Sequence, residues 1–283
     1  MEYGVLAVWL ALYLLLLYVG GTVATALFPR FADRGVSLGV PVAVSVLWLV
    51  TYFVGRLSLS VGVWLGVAVL AASAAVAGRS NGTVDSRAYA ETAGVFALAF
   101  LFLVWVRALD PVIVPLGGEK FLDFGLLRAV VDAPRLPPED LWFAGKPVRY
   151  YYGSQVLGAL LARLARVAPE RAYNLLIPTW YAALAALAYA LAGTVAERAG
   201  RSPRVAGAAA TLFVAVGGTL ATPARALLSF VPRDLAATYG RALVVGVRMP
   251  FPEALDAVRF LAGGAGYQYW WARHVAPHVA RVF

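Results

Sequence analysis

The chain has 283 residues, of which 61% are hydrophobic and 14% charged, and its mean hydropathy is +0.75. Soluble domains are about half apolar and about a quarter charged, so this composition excludes an ordinary soluble globular protein. The net charge of +9 comes almost wholly from arginine, which favours lipid headgroups over nucleic acid as a partner, and the absence of cysteine excludes disulfides, thiolate metal sites and cysteine nucleophiles.

Apolar stretches bounded by charges, glycine or proline recur along the chain and predict transmembrane helices, since about 20 apolar residues cross a bilayer core of about 30 Å. The first stretch lacks a basic leader and exceeds a signal-peptide core, which favours a retained span. The fifth is the weakest, because Ser154, Gln155, Arg163 and Arg166 interrupt it. The seven stretches lie at 3–28, 36–54, 58–78, 90–109, 148–167, 172–197 and 204–221. They predict an all-α, polytopic helical bundle of about seven spans in the cell membrane.

The predicted bundle has three parts. Residues 1–89 hold three N-terminal helices, and residues 90–221 form a core that carries an acidic loop at 110–147. Residues 222–283 mix short apolar pieces with prolines, which predicts interfacial helices and turns.

The arginines of the predicted loops indicate an orientation, because cytoplasmic loops are enriched in basic residues. With the N-terminus outside, the acidic loop lies outside and the tail after residue 221 lies inside. The inner loops then hold Arg30, Arg34, Arg79, Arg87, Arg163, Arg166 and Arg171, and the short outer loops hold Arg56, Arg198, Arg201 and Arg204.

The acidic loop contains a segment at 119–131 whose apolar residues have helical spacing, which predicts a helix lying on the membrane. Its polar face holds Glu119 and Asp123. Carboxylates four residues apart on a helix repel each other by a few tenths of a kcal/mol, so the pair favours a bound cation, a divalent metal ion or a substrate group. The alternative is a solvated polar face.

Two aromatic motifs follow this segment. Residues 136–147 form a proline-bounded turn with two aromatic residues suited to the membrane interface. Tyr150, Tyr151 and Tyr152 stand at the start of the fifth predicted span and are typical of an aromatic belt. On a helix they would point about 100° apart, so at least one should face the bundle, where it could hydrogen-bond a substrate.

These motifs carry a resemblance. With GEKFLDF at 118–124, LPPEDLWFAG at 136–145 and YYYG at 150–153, the chain resembles the uncharacterised archaeal and Chloroflexi membrane-protein family named for its triple tyrosine. Weaker similarity extends to YWWAR at 269–273, covering most of the chain after about residue 90.

That family is similar to the GT-C class of membrane glycosyltransferases, which implies a GT-C-like fold, a polyprenyl-phosphate-linked sugar donor and an acidic residue in the first large outer loop. The resemblance implies catalytic roles for Glu119 and Asp123 first, with Asp110 and Asp140 behind them. A carboxylate there could deprotonate an acceptor hydroxyl, or Glu119 and Asp123 could bind a divalent ion. The implied substrate-binding residues are Lys120, Arg149, Tyr150, Tyr151, Tyr152, Trp270, Trp271 and Arg273.

Two features depart from the family pattern. Its members continue beyond the position of Phe283, so we expect either a fragment or a short member that needs a partner subunit. Seven spans also put the tail and the acidic loop on opposite faces, so a shared site requires one span fewer or a re-entrant piece.

The leading functional hypothesis is a membrane glycosyltransferase, or a homologue of one, acting at the outer face. The alternatives are a transporter or lipid flippase, which would have polar groups near the bilayer midplane, and a non-catalytic scaffold subunit. Nothing in the sequence resembles a nucleotide-binding loop.

Overall fold

The computed structural model describes residues 3–80, 82–108 and 120–216. All regular structure within these ranges is helical, apart from one isolated bridge between Glu139 and Pro147. The predicted all-α class is therefore confirmed for the part of the chain described. The helices are α1 Tyr3–Leu27, α2 Gly39–Val54 with a 3-10 turn at Val36–Leu38 before it, α3 Leu59–Ser80, α4 Ser86–Ala108, α5 Lys120–Asp132, α6 Gly153–Ala165, α7 Pro169–Arg198 and α8 Pro203–Val216.

Five of these helical segments are long and apolar enough to cross a membrane. They are Tyr3–Leu27, Val36–Val54, Leu59–Ser80, Ser86–Val106 and Pro169–Arg198, with lengths of 25, 19, 22, 21 and 30 residues. The chain is a multi-pass membrane protein. The predicted total of seven spans is not confirmed, because five are found among the described residues.

The predicted span at 148–167 is not a crossing. Only Gly153–Ala165 is helical there, and 13 residues of α-helix extend about 20 Å, too short for a bilayer core. The helix stops at Arg166, whose backbone is left-handed with φ 53°. Val156, Leu160 and Leu161 are buried within the protein, so the apolar character of α6 reflects core packing. The last predicted span, 204–221, is represented by the 14 residues of α8, and its remainder lies outside the described residues.

The chain divides into two compact units. The first comprises Met1–Val104 and Glu119–Thr211 and contains every contact discussed below. The second comprises Trp105–Gly118 and Leu212–Phe283, of which only the last turn of α4 and the end of α8 belong to the described residues.

Small residues and an aromatic cluster hold the first unit together. At the crossing of α1 and α2, a Cβ on Gly20 would stand 2.0 Å from the carbonyl oxygen of Gly39, so only glycine permits this approach. Deeper in the core, Trp9 lies 5.8 Å from Tyr13 between ring centroids and donates a 3.0 Å hydrogen bond to Thr179. These contacts join α1 to α2 and to α7.

The bundle has two ends, named here after Asp33 and Arg56. At the Asp33 end, the backbone N–H of Ala32 donates to Thr194 of α7 at 2.9 Å. At the Arg56 end, the N–H of Leu136 donates to the carbonyl of Gly55 at 2.8 Å, which attaches the segment after α5 to the connection between α2 and α3.

Helix α6 turns back at the Arg56 end. Its first residue, Gly153, accepts a 2.7 Å hydrogen bond from Trp48 of α2, and Arg163 in its last turn donates to Ser60 at the start of α3 at 3.3 Å. Both contacts lie on residues near the Arg56 end, and α7 runs from there to the Asp33 end. One crossing fewer than predicted therefore separates the acidic loop from α8.

Candidate functional site

The candidate site lies at the Arg56 end, in a layer built from α5, the segment 133–152 and the first turn of α6. This layer is called the acidic layer below. Asp123, Asp140, Arg149 and the three tyrosines lie in this layer. Lys120 begins α5. The other predicted site residues, namely Asp110, Glu119, Trp270, Trp271 and Arg273, lie outside the described residues.

Asp123 is held by a hydrogen-bonded series of side chains. Gln155 donates from Nε2 to Oδ1 of Asp123 at 3.2 Å, and Ser154 donates from Oγ to Oε1 of Gln155 at 2.8 Å. Gln155 is only 8% exposed, so its amide is fixed in a nearly dry environment, where a hydrogen bond to a charged partner is stronger than in water. The arrangement orients the Asp123 carboxylate from one side.

The start of α6 is in turn fixed to α2. Besides the hydrogen bond from Trp48 to the Gly153 carbonyl, a Cβ on Gly153 would stand 3.2 Å from Cζ2 of Trp48, tighter than ordinary van der Waals contact. Glycine at this position therefore lets the indole lie against the backbone. The glycine that closes the triple-tyrosine motif thus helps to position Gln155, two residues later.

Tyr152 faces the bundle, as predicted for at least one of the three tyrosines. Its ring centroid lies 6.1 Å from that of Tyr52 in α2, which stacks on Trp48 at 5.1 Å. Burial raises the pKa of the Tyr152 phenol and the neighbouring Tyr52 hydroxyl raises it further, whereas the positive charge of Arg56 opposes the shift. The phenol of Tyr152 is therefore a neutral hydrogen-bonding group near a cation.

Tyr150 and Tyr151 are exposed, and their ring centroids lie 3.9 Å apart. They precede α6, so the helical spacing assumed for the three tyrosines is wrong. In this position the two rings are suited to the membrane interface, where an aromatic body and a polar hydroxyl are both accommodated.

The carboxylates of Glu139 and Asp140 bind backbone amides of their own loop. Oδ1 of Asp140 accepts from the N–H groups of Trp142 and Phe143 at 2.9 and 3.1 Å, and Oε1 of Glu139 accepts from the N–H of Gly145 at 2.7 Å. These bonds build a turn that presents Trp142 and Phe143, which are 64% and 68% exposed. A structural role accounts for the Asp140 carboxylate, and its catalytic role remains a prediction.

Helix α5 is present where the sequence predicts it, but its apolar face packs on the protein. The side chains of Leu126, Leu127 and Val130 are each at most 1% exposed. These side chains therefore contact the bundle. The ring of Phe124 meets Tyr173 of α7 edge-on at 5.6 Å.

Arg163 fixes the far end of α5. Its guanidinium donates to the carbonyl of Val131 at 3.2 and 2.5 Å and to the carbonyl of Ala133 at 2.9 Å. Carbonyls at a helix C-terminus lack partners within the helix, so this arginine satisfies groups that α5 leaves open. The layer is consequently attached to the bundle at both ends of α6.

The predicted divalent ion has a partial donor set among the described residues. Asp123 contributes one carboxylate, and the described ranges contain no group of three or more His, Cys, Asp or Glu side chains able to hold a metal. Glu119, the other predicted ligand, lies outside these ranges. The metal ion remains a prediction.

The model of the family described as "Uncharacterized membrane protein (DUF2298)" matches residues 42–279. The chain belongs to this family. The match starts within α2 and spans the three motifs singled out in the sequence, and the identity of this family with the triple-tyrosine family remains a prediction. No curated protein and no solved structure matches the chain. The family description names no activity, and the likeness to GT-C enzymes remains a prediction.

Within this DUF2298 chain, sequence reasoning missed the partners of the predicted residues. These partners lie on or just after α2, far along the chain from the tyrosines. Tyr52 contacts Tyr152, Trp48 donates to the carbonyl of Gly153, and the charge of Arg56 acts on the Tyr152 phenol. Gln155 was noted only as an interruption of an apolar stretch. A polar residue inside an apolar helix is a functional candidate by default, and that signal could have identified it.

A cavity of about 320 Å³ opens at the Asp33 end. Three of its four acidic side chains, those of Asp33, Asp85 and Glu91, have partners in the protein, and Asp85 accepts from the N–H of Ala88 at 2.8 Å. Asp33 accepts from the N–H groups of Gly35 and Ser37 at 2.9 and 2.7 Å, and Glu91 pairs with Arg204 and Arg87. Turn formation and the attachment of α8 to α4 account for these charges.

Proposed function

We propose that this DUF2298 protein is a membrane glycosyltransferase, or a homologue of one, that moves a sugar from a polyprenyl-phosphate carrier to an acceptor at the outer face. Asp123 is its reactive carboxylate. The observation that carries the proposal is the fixed orientation of Asp123 by the buried Gln155, within the layer that also holds the triple-tyrosine motif.

The chemistry suits a single oriented carboxylate. The acceptor hydroxyl oxygen attacks the anomeric carbon of the sugar, its proton passes to Asp123, and the bond to the lipid phosphate breaks with the electron pair remaining on the phosphate oxygen. A carboxylate that is already oriented requires no rearrangement during this step. The exposed Tyr150 and Tyr151 are proposed to contact the sugar or its lipid.

The distribution of arginine supports an outward-facing layer. Two short connections lie at the Arg56 end, and each contains one arginine, Arg56 between α2 and α3 and Arg166 between α6 and α7. Because short basic loops remain in the cytoplasm, this asymmetry favours the Asp33 end inside and the acidic layer outside. The connections at the Asp33 end are flanked by Arg30, Arg34, Arg79, Arg87, Arg198, Arg201 and Arg204.

Because α6 turns back instead of crossing the membrane, two groups of arginines lie at the opposite end from the one predicted. Arg198, Arg201 and Arg204 move from the predicted outer loops to the inner end, and Arg163, Arg166 and Arg171 move to the outer end. Arg163 is bound to the carbonyls at the end of α5, so its presence there has a structural cause.

Donor turnover by purified protein tests the proposal. Vesicles containing a panel of polyprenyl-phosphate-linked hexoses, labelled in the sugar, would be incubated with wild-type protein and with Asp123→Asn. Loss of the carboxylate should reduce release of label from the lipid by about 10²–10⁴-fold, the usual contribution of a general base.

Asp132→Asn is the matched control, because Asp132 lies on the same helix with a mostly exposed side chain whose nearest ion-pair partner is Arg128 at 4.0 Å. Its turnover should equal that of the wild type. Full turnover by Asp123→Asn would reject the site, and no turnover of any donor by wild-type protein would reject the function.

A further inference from the structure

Arg56 is a cation whose surroundings in the described residues are aromatic. Its guanidinium carbon lies 5.2 Å from the ring centroid of Tyr52 and 5.8 Å from that of Phe53. Within the described ranges it forms no ion pair, whereas Arg87, Arg128 and Arg204 all pair with carboxylates. The donors of Arg56 therefore remain available to an anion.

Two phenol groups lie beside this cation. Tyr52, under the guanidinium, also contacts Tyr152, and the charge of Arg56 acts on the Tyr152 phenol. Both rings are held in place, since Tyr52 stacks on Trp48 and Tyr152 directly precedes α6. The Tyr52 and Tyr152 hydroxyls are hydrogen-bonded to each other, which leaves one hydroxyl donor of the pair. Five guanidinium N–H groups in a planar fork, together with that donor, match the oxygen atoms of a phosphate group.

Apolar side chains flank the same cation on the outside of the bundle. Phe53 is 60% exposed and Leu57 is 85% exposed, on either side of Arg56 in sequence. In a membrane-spanning chain such side chains contact lipid, and the end of a spanning helix lies at headgroup depth. An anion from the aqueous phase would gain nothing from these apolar neighbours, whereas a phosphate that carries an acyl or prenyl chain would.

We propose that Arg56, Tyr52 and Tyr152 form a binding site for the phosphate group of a membrane lipid. The site lies at the edge of the acidic layer, because Tyr152 directly precedes α6 and Gln155 lies in the first turn of that helix. Tyr152 belongs to the substrate-binding residues that the sequence resemblance implies, whereas Arg56 and Tyr52 do not. The inference does not require the proposed glycosyl transfer.

Lipid binding by the purified full-length chain tests the site without any activity assay. Protein in detergent would be titrated separately with polyprenyl phosphate, with phosphatidylglycerol and with inorganic phosphate, and bound ligand counted by native mass spectrometry. Arg56→Gln should weaken lipid binding by about tenfold or more, as expected for loss of a charge-assisted hydrogen bond. Arg56→Lys keeps the charge but loses the planar fork of donors, so its lipid affinity should lie between those of the wild type and Arg56→Gln.

Arg201→Gln is the control, because Arg201 is exposed at the Asp33 end. It should bind lipid like the wild type. Tyr152→Phe provides a second variant that keeps the ring and removes one hydroxyl, and it should weaken binding by a few-fold. If Arg56→Gln unfolds, this variant and Arg56→Lys still test the site.

The three ligands distinguish the source of the phosphate. Tighter Arg56-dependent binding of polyprenyl phosphate assigns the site to a prenyl-linked lipid, and equal or tighter binding of phosphatidylglycerol assigns it to a bulk headgroup. Lipid binding that is unchanged in Arg56→Gln, or inorganic phosphate that binds as tightly as either lipid, would overturn the proposal. Arg56-dependent binding without sugar release would leave this site standing while the proposed transferase fails.

Discussion

Replacing Gln155 by leucine removes the amide that orients Asp123 while keeping a side chain of similar size. The change breaks the 3.2 Å hydrogen bond to Oδ1 of Asp123 and the 2.8 Å bond from Ser154. A hydrogen bond to a charged group contributes about 1.5–3 kcal/mol, and each 1.4 kcal/mol corresponds to about a factor of ten. We therefore expect donor turnover to fall roughly 10- to 150-fold.

The assay is the release of labelled sugar, measured as a function of donor concentration. Since Gln155 contacts the carboxylate, kcat should fall with little change in KM. In Gln155→Glu two carboxylates would face each other and share a proton, so turnover should recover as the pH rises and that proton is lost. A merely structural role would give no such pH dependence.

Ser154→Ala acts on Asp123 only through Gln155, so its effect should be smaller than that of Gln155→Leu. Ser80→Ala is the matched control, because the exposed Ser80 hydroxyl bonds only to the carbonyl of Val76 in its own helix. An unchanged kcat in Gln155→Leu, or a loss that follows the loss of thermal stability alone, would refute the reasoning.

The remaining predictions concern stability. Gly20→Ala places a methyl group against the Gly39 carbonyl, so it should destabilise the bundle by about 1–3 kcal/mol and lower the Tm, whereas Gly4→Ala, on the same helix with open space around it, should not. Arg163→Met leaves the carbonyls after α5 without their donor, so it should cost about 2 kcal/mol and speed proteolysis in the segment 133–152, and Arg166→Met, on an exposed side chain, should have little effect. Equal Tm values within either pair would contradict the packing described.

The long apolar stretches made five spans predictable from sequence. The apolar stretch of α3, for example, is long enough to cross a bilayer and is not interrupted by charged residues before its last turn. Helix α5 was predictable from the spacing of its apolar residues, and the polar Asp123 was an evident candidate. The confirmed parts rest on local patterns.

The path of α6 was not predictable in the same way. Val156, Leu160 and Leu161 would be equally apolar in a lipid-facing helix and in one buried by protein, so composition cannot distinguish the two. Its polar first turn, with Ser154 and Gln155, was the available sign that it faces other residues. The contacts of Tyr52 with Tyr152 and of Trp48 with Gly153 join distant parts of the chain, and no local pattern indicates them.

The proposed transferase requires the acidic layer to face outward while the Asp33 end faces the cytoplasm. Single cysteines at Trp142 and Arg201 can be probed in intact cells with an impermeant thiol reagent, because the natural chain contains no cysteine. We predict labelling at position 142 without lysis and at position 201 only after lysis. Protection of position 142 until lysis, or labelling of both positions in intact cells, would contradict this orientation.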